Sequence, residues 1–317
     1  MKSFNSKLPF HTKKRQFSSI LILLLYLKFG TACAPMQVID TDINQYYFNS
    51  AENEQSQQSI YISNTGIDYK PFPMDYNAYV KKWLDYFSKG EGKVTMRKYL
   101  ERSGRYIAYM EDILAYNGLP KELVSMSMVE SGFWPYATSH AQAVGYWQFI
   151  KPTGELYNLR IDRYVDDRRD FELSTQAAAN YLKDLYVSFR DWRLSIAAYN
   201  CGEQCIRNAI NKNNSKNFWH LVDRKSIPEE TRNYVPKVIA MAKITRNPNQ
   251  YGFHSLNYQE PLDYKTISIR TQSTLNTISN HLNISYKDLK SLNPKFKTDI
   301  IPKESSYELR VPIESIY

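Results

Sequence analysis

Glu130 ends an apolar run, "PKELVSMSMVES", and Ser131 and Gly132 follow it directly. A carboxyl in the last turn of a buried helix meets two effects of the same sign. Desolvation disfavours its ionised form, and the partial negative charge of the helix C-terminus repels a carboxylate. A carboxyl kept protonated near neutral pH is what a general acid needs to break a glycosidic bond. The position equally suits a structural Glu whose end reaches water or meets a Lys. Further on, "GYWQF" sets Gly145, Tyr146, Trp147, Gln148 and Phe149 in a row. Its amide can bind an N-acetyl or hydroxyl group, and Trp or Tyr can supply a stacking wall. "AAYNCG" places Tyr199 and Asn200 at the end of another apolar run. Taken singly, such an Asn is commonly a C-cap and such a Tyr is commonly core.

The elements that must position these residues read as helices. "VKKWLDYF" puts Val80, Trp83, Leu84 and Phe87 on one face, the spacing of an amphipathic helix. "KYLERSGRYIAYMEDILAYNGLP" continues the pattern until Gly118, and Pro120 opens the next helix where no N–H is needed. That helix, Lys121 to about Ser131, is apolar on most sides and therefore buried. Residues 132–170 are punctuated by Gly and Pro. Ser174 and Thr175 are expected to cap "QAAANYLKDLYVSF", and Asp191 to cap "WRLSIAAYN" up to Gly202. "VPKVIAMAKIT" makes a further helix closed by Asn247 and Pro248. No alternating strand pattern occurs in this stretch, so the reading is an all-α domain over 76–254. Residues 262–314 differ: "KTISIR" and "YELRVP" read as strands around two helices expected to be capped by Ser273 and Ser285. The order is βααβ, a small α+β module.

The ends restrict location and partners. Residues 1–33 open with Lys2, Lys7, Lys13, Lys14 and Arg15, continue with an apolar stretch from Ile20 to Leu27, and finish Gly30-Thr31-Ala32-Cys33. The stretch is too short to span a bilayer and suits a signal peptide. Small residues before Cys33 resemble the bacterial lipoprotein cleavage box, although Gly30 stands where Leu is usual; plain secretion is the alternative. With a lipid on Cys33 and Ala34 after it, the expected location is the periplasmic face of the outer membrane. Residues 34–75 include "NSAENEQSQQS" and are expected to form a flexible tether. The net charge of +9 includes six basic residues within 1–33, leaving about three for the rest, so a nucleic-acid partner loses its support. The five His and three Cys show no ligand spacing, and no metal or cofactor is implied. Cys201 and Cys205 are read as free thiols, because an i,i+4 pair within one regular helix bridges poorly; a break at Gly202 would change that.

Together these motifs resemble the lytic transglycosylases of the soluble-lytic-transglycosylase (SLT) family, in the membrane-bound D type that carries C-terminal LysM modules. The resemblance spans 76–250 through "MVESGFWPYATSHAQAVGYWQF", "DWRLSIAAYNCGE" and "TRNYVPKVIA". It implies an all-α lysozyme-like fold related to goose-type lysozyme, and peptidoglycan glycan strands as partner. It implies Glu130 as catalytic acid, with Ser131, Gly145, Gln148, Tyr199, Asn200 and Tyr234 around the substrate. Gln142, Tyr146 and Cys201 depart from the family pattern. Ordinary glycosidases need a second carboxylate, and Glu155, Asp162, Asp166 and Asp167 belong to none of the family's motifs; Asp166 and Asp167 look like partners of Arg168 and Arg169. The implied chemistry is intramolecular, with the C6 hydroxyl of the muramic acid closing onto C1 to give a 1,6-anhydro sugar. The βααβ segment resembles a LysM glycan binder, with Gln272-Ser273 and "PKESS" as departures. A hydrolase on the same fold and a non-catalytic murein-binding lipoprotein are the alternative readings.

Overall fold

A computed structural model describes residues 67–303 and 307–315. The expected leader with Cys33, and residues 34–66 of the expected tether, lie outside the described residues. Residues 67–75, assigned to that tether by sequence, instead lie on the helical body. Phe72 is buried, Tyr69 stacks on Trp192, and the Asp75 carboxylate accepts from both Nε and Nη2 of Arg193 at 2.9 and 2.8 Å. Aromatic rings and a forked ion pair give this stretch enough contact to offset the entropy of ordering it.

The body is helical. Helix α1 (Ala78–Ser88) starts where Asn77 Oδ1 accepts from the Val80 N–H, and it packs along the last long helix. The continuous run expected next is two helices, α2 (Lys93–Ser103) and α3 (Ile107–Tyr116). Gly104 lies at the break, where an added Cβ would stand 2.5 Å from Gln259 O, so the chain turns there to let another segment pass. The buried helix expected over 121–131 begins as a 3₁₀ turn, Lys121–Val124, and becomes α4 (Ser125–Ser131). Met126 and Met128 of α4 are fully buried, and burial of each such side chain contributes roughly 1.5–3 kcal/mol. A short α5 (Lys151–Leu156) follows.

Helix α6 (Phe171–Phe189) begins earlier than expected. Its cap is Asp170, which accepts from the N–H groups of Glu172 and Leu173. Ser174 and Thr175 are inside the first turns and return their hydroxyls to Asp170 O and Phe171 O. Helix α7 (Trp192–Cys201) is capped by Asp191 and stops at Gly202, as its sequence indicates. Two helices with no sequence expectation follow, α8 (Glu203–Asn213) and α9 (Phe218–Asp223). Helix α10 (Glu229–Arg246) starts a turn and a half before "VPKVIAMAKIT", and α1, α4 and α7 pack against it.

The C-terminal module pairs β1 (Tyr264–Ile269) antiparallel with β4 (Tyr307–Pro312), with Ile267 opposite Leu309. Two short strands, β2 (Ser273–Thr274) and β3 (Ile300–Ile301), pair beside them. Between the strands lie α11 (Leu275–His281), capped by Thr274 rather than Ser273, and α12 (Tyr286–Leu292), capped by Ser285. Ile267, Leu275, Ile278, Leu289 and Leu309 form its apolar core. No helix of the described residues is long and apolar enough to cross a membrane.

Candidate active site

Glu130 sits in the last turn of α4, which ends at Gly132 in the left-handed conformation (φ +56°). Its side chain reaches a cleft of about 550 Å³ whose walls include Gln148, Phe149, Tyr181, Tyr199 and Asn200. Protein packs closely around the carboxyl. Burial pushes it up to about 7, against the opposing effect of the hydrogen bond from Tyr234 and with a smaller upward contribution from the Glu230 charge. The Tyr234 hydroxyl, carried in by α10, donates to Glu130 Oε1 at 2.6 Å. That bond favours the carboxylate and fixes the group's direction. A Tyr234→Phe variant is therefore expected to raise the Glu130 titration by about one to two pH units. A carboxyl-carbon NMR titration would measure it, and a fall would contradict the assignment.

The loop from Gln142 to Phe149 forms one wall. Gly145 has φ +83°, and a Cβ there would stand 1.8 Å from Arg168 O. Only a residue without a side chain permits this approach, so Gly145→Ala should displace the loop and cost about 2–4 kcal/mol in thermal or denaturant unfolding. Gln148 also has positive φ (+49°), and its Nε2 donates to Ala137 O and Gly145 O at 3.1 and 3.0 Å. Its amide oxygen is then the atom placed to accept from a ligand. Ser131 does not face the cleft with an uncommitted hydroxyl. Its Oγ, with one hydrogen to give, lies 2.9 Å from Tyr146 O and 3.2 Å from Ser127 O and accepts from Trp134 N–H, which ties the end of α4 to the loop. Tyr146 and Trp147 are not stacking walls either. Both are fully buried, and Trp147 Nε1 donates to Thr175 Oγ1 at 2.9 Å. Gln142 takes φ +60°, the left-handed backbone region that favours glycine.

The opposite wall comes from α6, α7 and α10. Tyr199 donates its hydroxyl to Trp147 O at 2.8 Å, holding α7 against the loop. Its ring lies 5.1 Å from that of Tyr181, which in turn lies 5.1 Å from Tyr157. Asn200 Oδ1 accepts from Thr231 Oγ1 at 2.7 Å, and its Nδ2 is 3.5 Å from Glu230 Oε1. Among the cleft residues that escaped the sequence reading, two bear on the chemistry, Tyr181 and Glu230. Tyr181 sits in a helix whose periodicity marks a core face. Glu230 lies one helical turn before Tyr234, on the same face of α10, and that spacing was visible once Tyr234 had been singled out. Glu155, Asp162, Asp166 and Asp167 do not line the cleft. Asp166 forms the expected pair with Arg168, two contacts of 2.8 Å. Asp167 instead accepts from the Arg160 N–H, and burial pushes its carboxyl up to about 6. Cys201 and Cys205 are bonded rather than free. Gly202 separates α7 from α8, so the constraint of one continuous helix does not apply. Among the described residues no His, Cys, Asp and Glu group could hold a metal ion.

Residues 108–222 match the family described as Transglycosylase SLT domain, and residues 263–317 match Lytic transglycosylase MltD, LysM-like domain. Membrane-bound lytic murein transglycosylase D of Escherichia coli (strain K12) is 33% identical over 229 residues, covering 68% of this chain and 50% of that protein. A protein named for tributyltin chloride resistance from Alteromonas sp. (strain M-1) is 34% identical over 116 residues, 36% of this chain and 56% of that one. The chain thus spans about half the length of the curated relatives it matches. The 70 kDa soluble lytic transglycosylase of Escherichia coli aligns with a TM-score of 0.41 and 22% identity, over 58% of this chain and 31% of that one. The two matched regions follow one another in chain order, with Glu130 at the cleft between α4 and α10: residues 108–222 belong to the SLT domain family and residues 263–317 to the MltD-type LysM-like domain family.

Proposed function

We propose that this protein cleaves the β-1,4 bond between N-acetylmuramic acid and N-acetylglucosamine in peptidoglycan and leaves a 1,6-anhydro-N-acetylmuramic acid end, in cell-wall remodelling or recycling. The observation that carries the reading is Glu130: a carboxyl with a raised pKa, oriented by one phenol, in a cleft with aromatic walls. Protonated Glu130 gives its proton to the linking oxygen as the C1–O bond breaks. The substrate's own N-acetyl oxygen stabilises the cation at C1. Glu130, now a carboxylate, takes the proton from the C6 hydroxyl of the same sugar as that oxygen closes onto C1. No water is consumed, and the attacking group gains from being part of the substrate. Gln148 and Asn200 meet the sugar's polar groups, Tyr199 supports the wall, and Tyr234 orients Glu130. Ser131 and Gly145 shape the loop. No cofactor is needed. The membrane-bound name of the Escherichia coli relative supports anchoring through a lipid on Cys33, facing the periplasm.

Glu230 favours a second reading, hydrolysis, because it is another carboxylate in the same cleft and hydrolases use two. It is exposed at the cleft and associated with Asn200 rather than packed beside Glu130. Mass spectrometry of fragments released from purified sacculi separates the two. Anhydro ends from both the wild-type protein and Glu230→Gln support the proposal; reducing ends refute it.

A further inference from the structure

The helical body and the C-terminal module share cores. Val165 of the body is buried in the module's apolar cluster, and Leu292 of the module belongs to the body's cluster. Backbone pairing runs along the same seam. Val165 bridges Phe296, the Asp166 N–H donates to Lys295 O at 2.9 Å, and the Lys297 N–H donates to Tyr164 O at 2.7 Å. Six residues on, Asp170 is fully buried and takes both Nη atoms of Arg310 at 2.8 Å and the Lys295 ammonium at 3.3 Å. The stretch 164–172 is therefore clamped at both ends by the module.

Arg168 lies between the two clamps. Its guanidinium is buried and forks onto Asp166, while Nη1 donates to Gln142 O at 3.1 Å and to Phe149 O at 3.0 Å. Those two carbonyls are the ends of the loop that carries Gly145 and Gln148. The Arg168 carbonyl also fills the space beside Gly145. One residue thus holds the cleft loop by both its ends and its middle, and the module holds the segment that presents it. A lysine at this position is a point charge and cannot span the carboxylate and two carbonyls at once.

We propose that the module is a positioning element of the cleft: docked on residues 164–172, it holds Arg168 where its guanidinium fixes the Gln142–Phe149 loop. This role is separate from any affinity of the module for glycan, and its effect on turnover rests on the transglycosylase reading. The test uses the full chain with Val165→Asp, which places a charge in the seam while leaving the body's own core intact, and Arg168→Lys, which leaves the seam intact. The first readout is hydrogen exchange at Val144, Gly145 and Gln148, whose amides bond to Phe149 O, Ala137 O and Gly145 O. Both variants are expected to raise that exchange about tenfold or more, as local opening does. On soluble glycan oligomers both should lower kcat by roughly 10–100-fold with KM within about twofold, the pattern of a misplaced reacting group. Wild-type exchange in both variants overturns the proposal. A rise with Arg168→Lys alone overturns it too, because the module would then be a bystander. Exchange needs no substrate, so failure of the wild-type protein to cleave murein would remove the transglycosylase reading and leave this result standing.

Discussion

Glu130→Gln is expected to lower the release of anhydro fragments from sacculi by roughly 10³–10⁴-fold, and to make the protein more stable at alkaline pH. Glutamine keeps the shape and an oxygen that can accept from Tyr234, but it has no proton to give. The stability effect follows from linkage. In the folded chain the Glu130 carboxyl titrates near 7, against an ordinary value of 4.5. A carboxyl raised by folding costs nothing below its unfolded pKa; the cost grows as pH rises from there and is complete above the folded pKa. A difference of this size is about 3 kcal/mol at pH 8, equivalent to roughly 5–10 °C in Tm for a chain of this length. The variant escapes that cost, so its Tm gain should be large at pH 8 and absent at pH 4. Cleavage by the wild-type protein should fall as pH passes about 7, where the acid loses its proton. Wild-type activity in Glu130→Gln, or a Tm difference that ignores pH, would remove Glu130 from its role.

The placement of Glu130 was legible in the sequence because it depends on local facts: an apolar run, an acid in its last turn and a glycine stop. Tyr234 and Asn200 were found through motif resemblance, and the structure joins the first to Glu130 and the second to Thr231. What stayed hidden depends on side-chain direction at long range. Trp147 looks like a sugar platform in "GYWQF", yet its indole turns inward to Thr175; the ring wall is Tyr181, whose position reads only as helix interior. Ser174 and Thr175 are the expected caps, and Asp170, a residue type that caps as well as serine, is the one that does so. Asp170 is committed by partners 125 and 140 residues away, Lys295 and Arg310, and no spacing rule reaches that far. The Cys pair was misread for a related reason. Its geometry depends on how Gly202 ends α7, and spacing alone does not fix that.

Asp170→Ala should cost about 3–5 kcal/mol, the range for breaking a buried ion pair from one side. The aspartate is fully buried and holds Arg310 and Lys295 while capping α6 at Glu172 and Leu173. Burial alone would push its carboxyl up. The charges of Arg310 and Lys295 overcome that and hold it well below the ordinary range. Its contribution is therefore present above the unfolded carboxylate value and lost as pH falls through that value toward the folded one. Asp170→Asn keeps a capping oxygen and removes the charge, so it should lose most of the ion-pair contribution at pH 7 and little at the acid end of the range. Arg310→Met leaves the aspartate with Lys295 alone and should be nearly as costly as Asp170→Ala. The double variant Asp170→Ala/Arg310→Met should cost at least 2 kcal/mol less than the sum of the singles, since each already forfeits the shared contact. Urea unfolding of the four proteins at pH 7 and at about pH 2, well below the ordinary carboxylate range, measures the cycle. Additive losses would mean that the two residues do not form the contact through which module and helical body support one another.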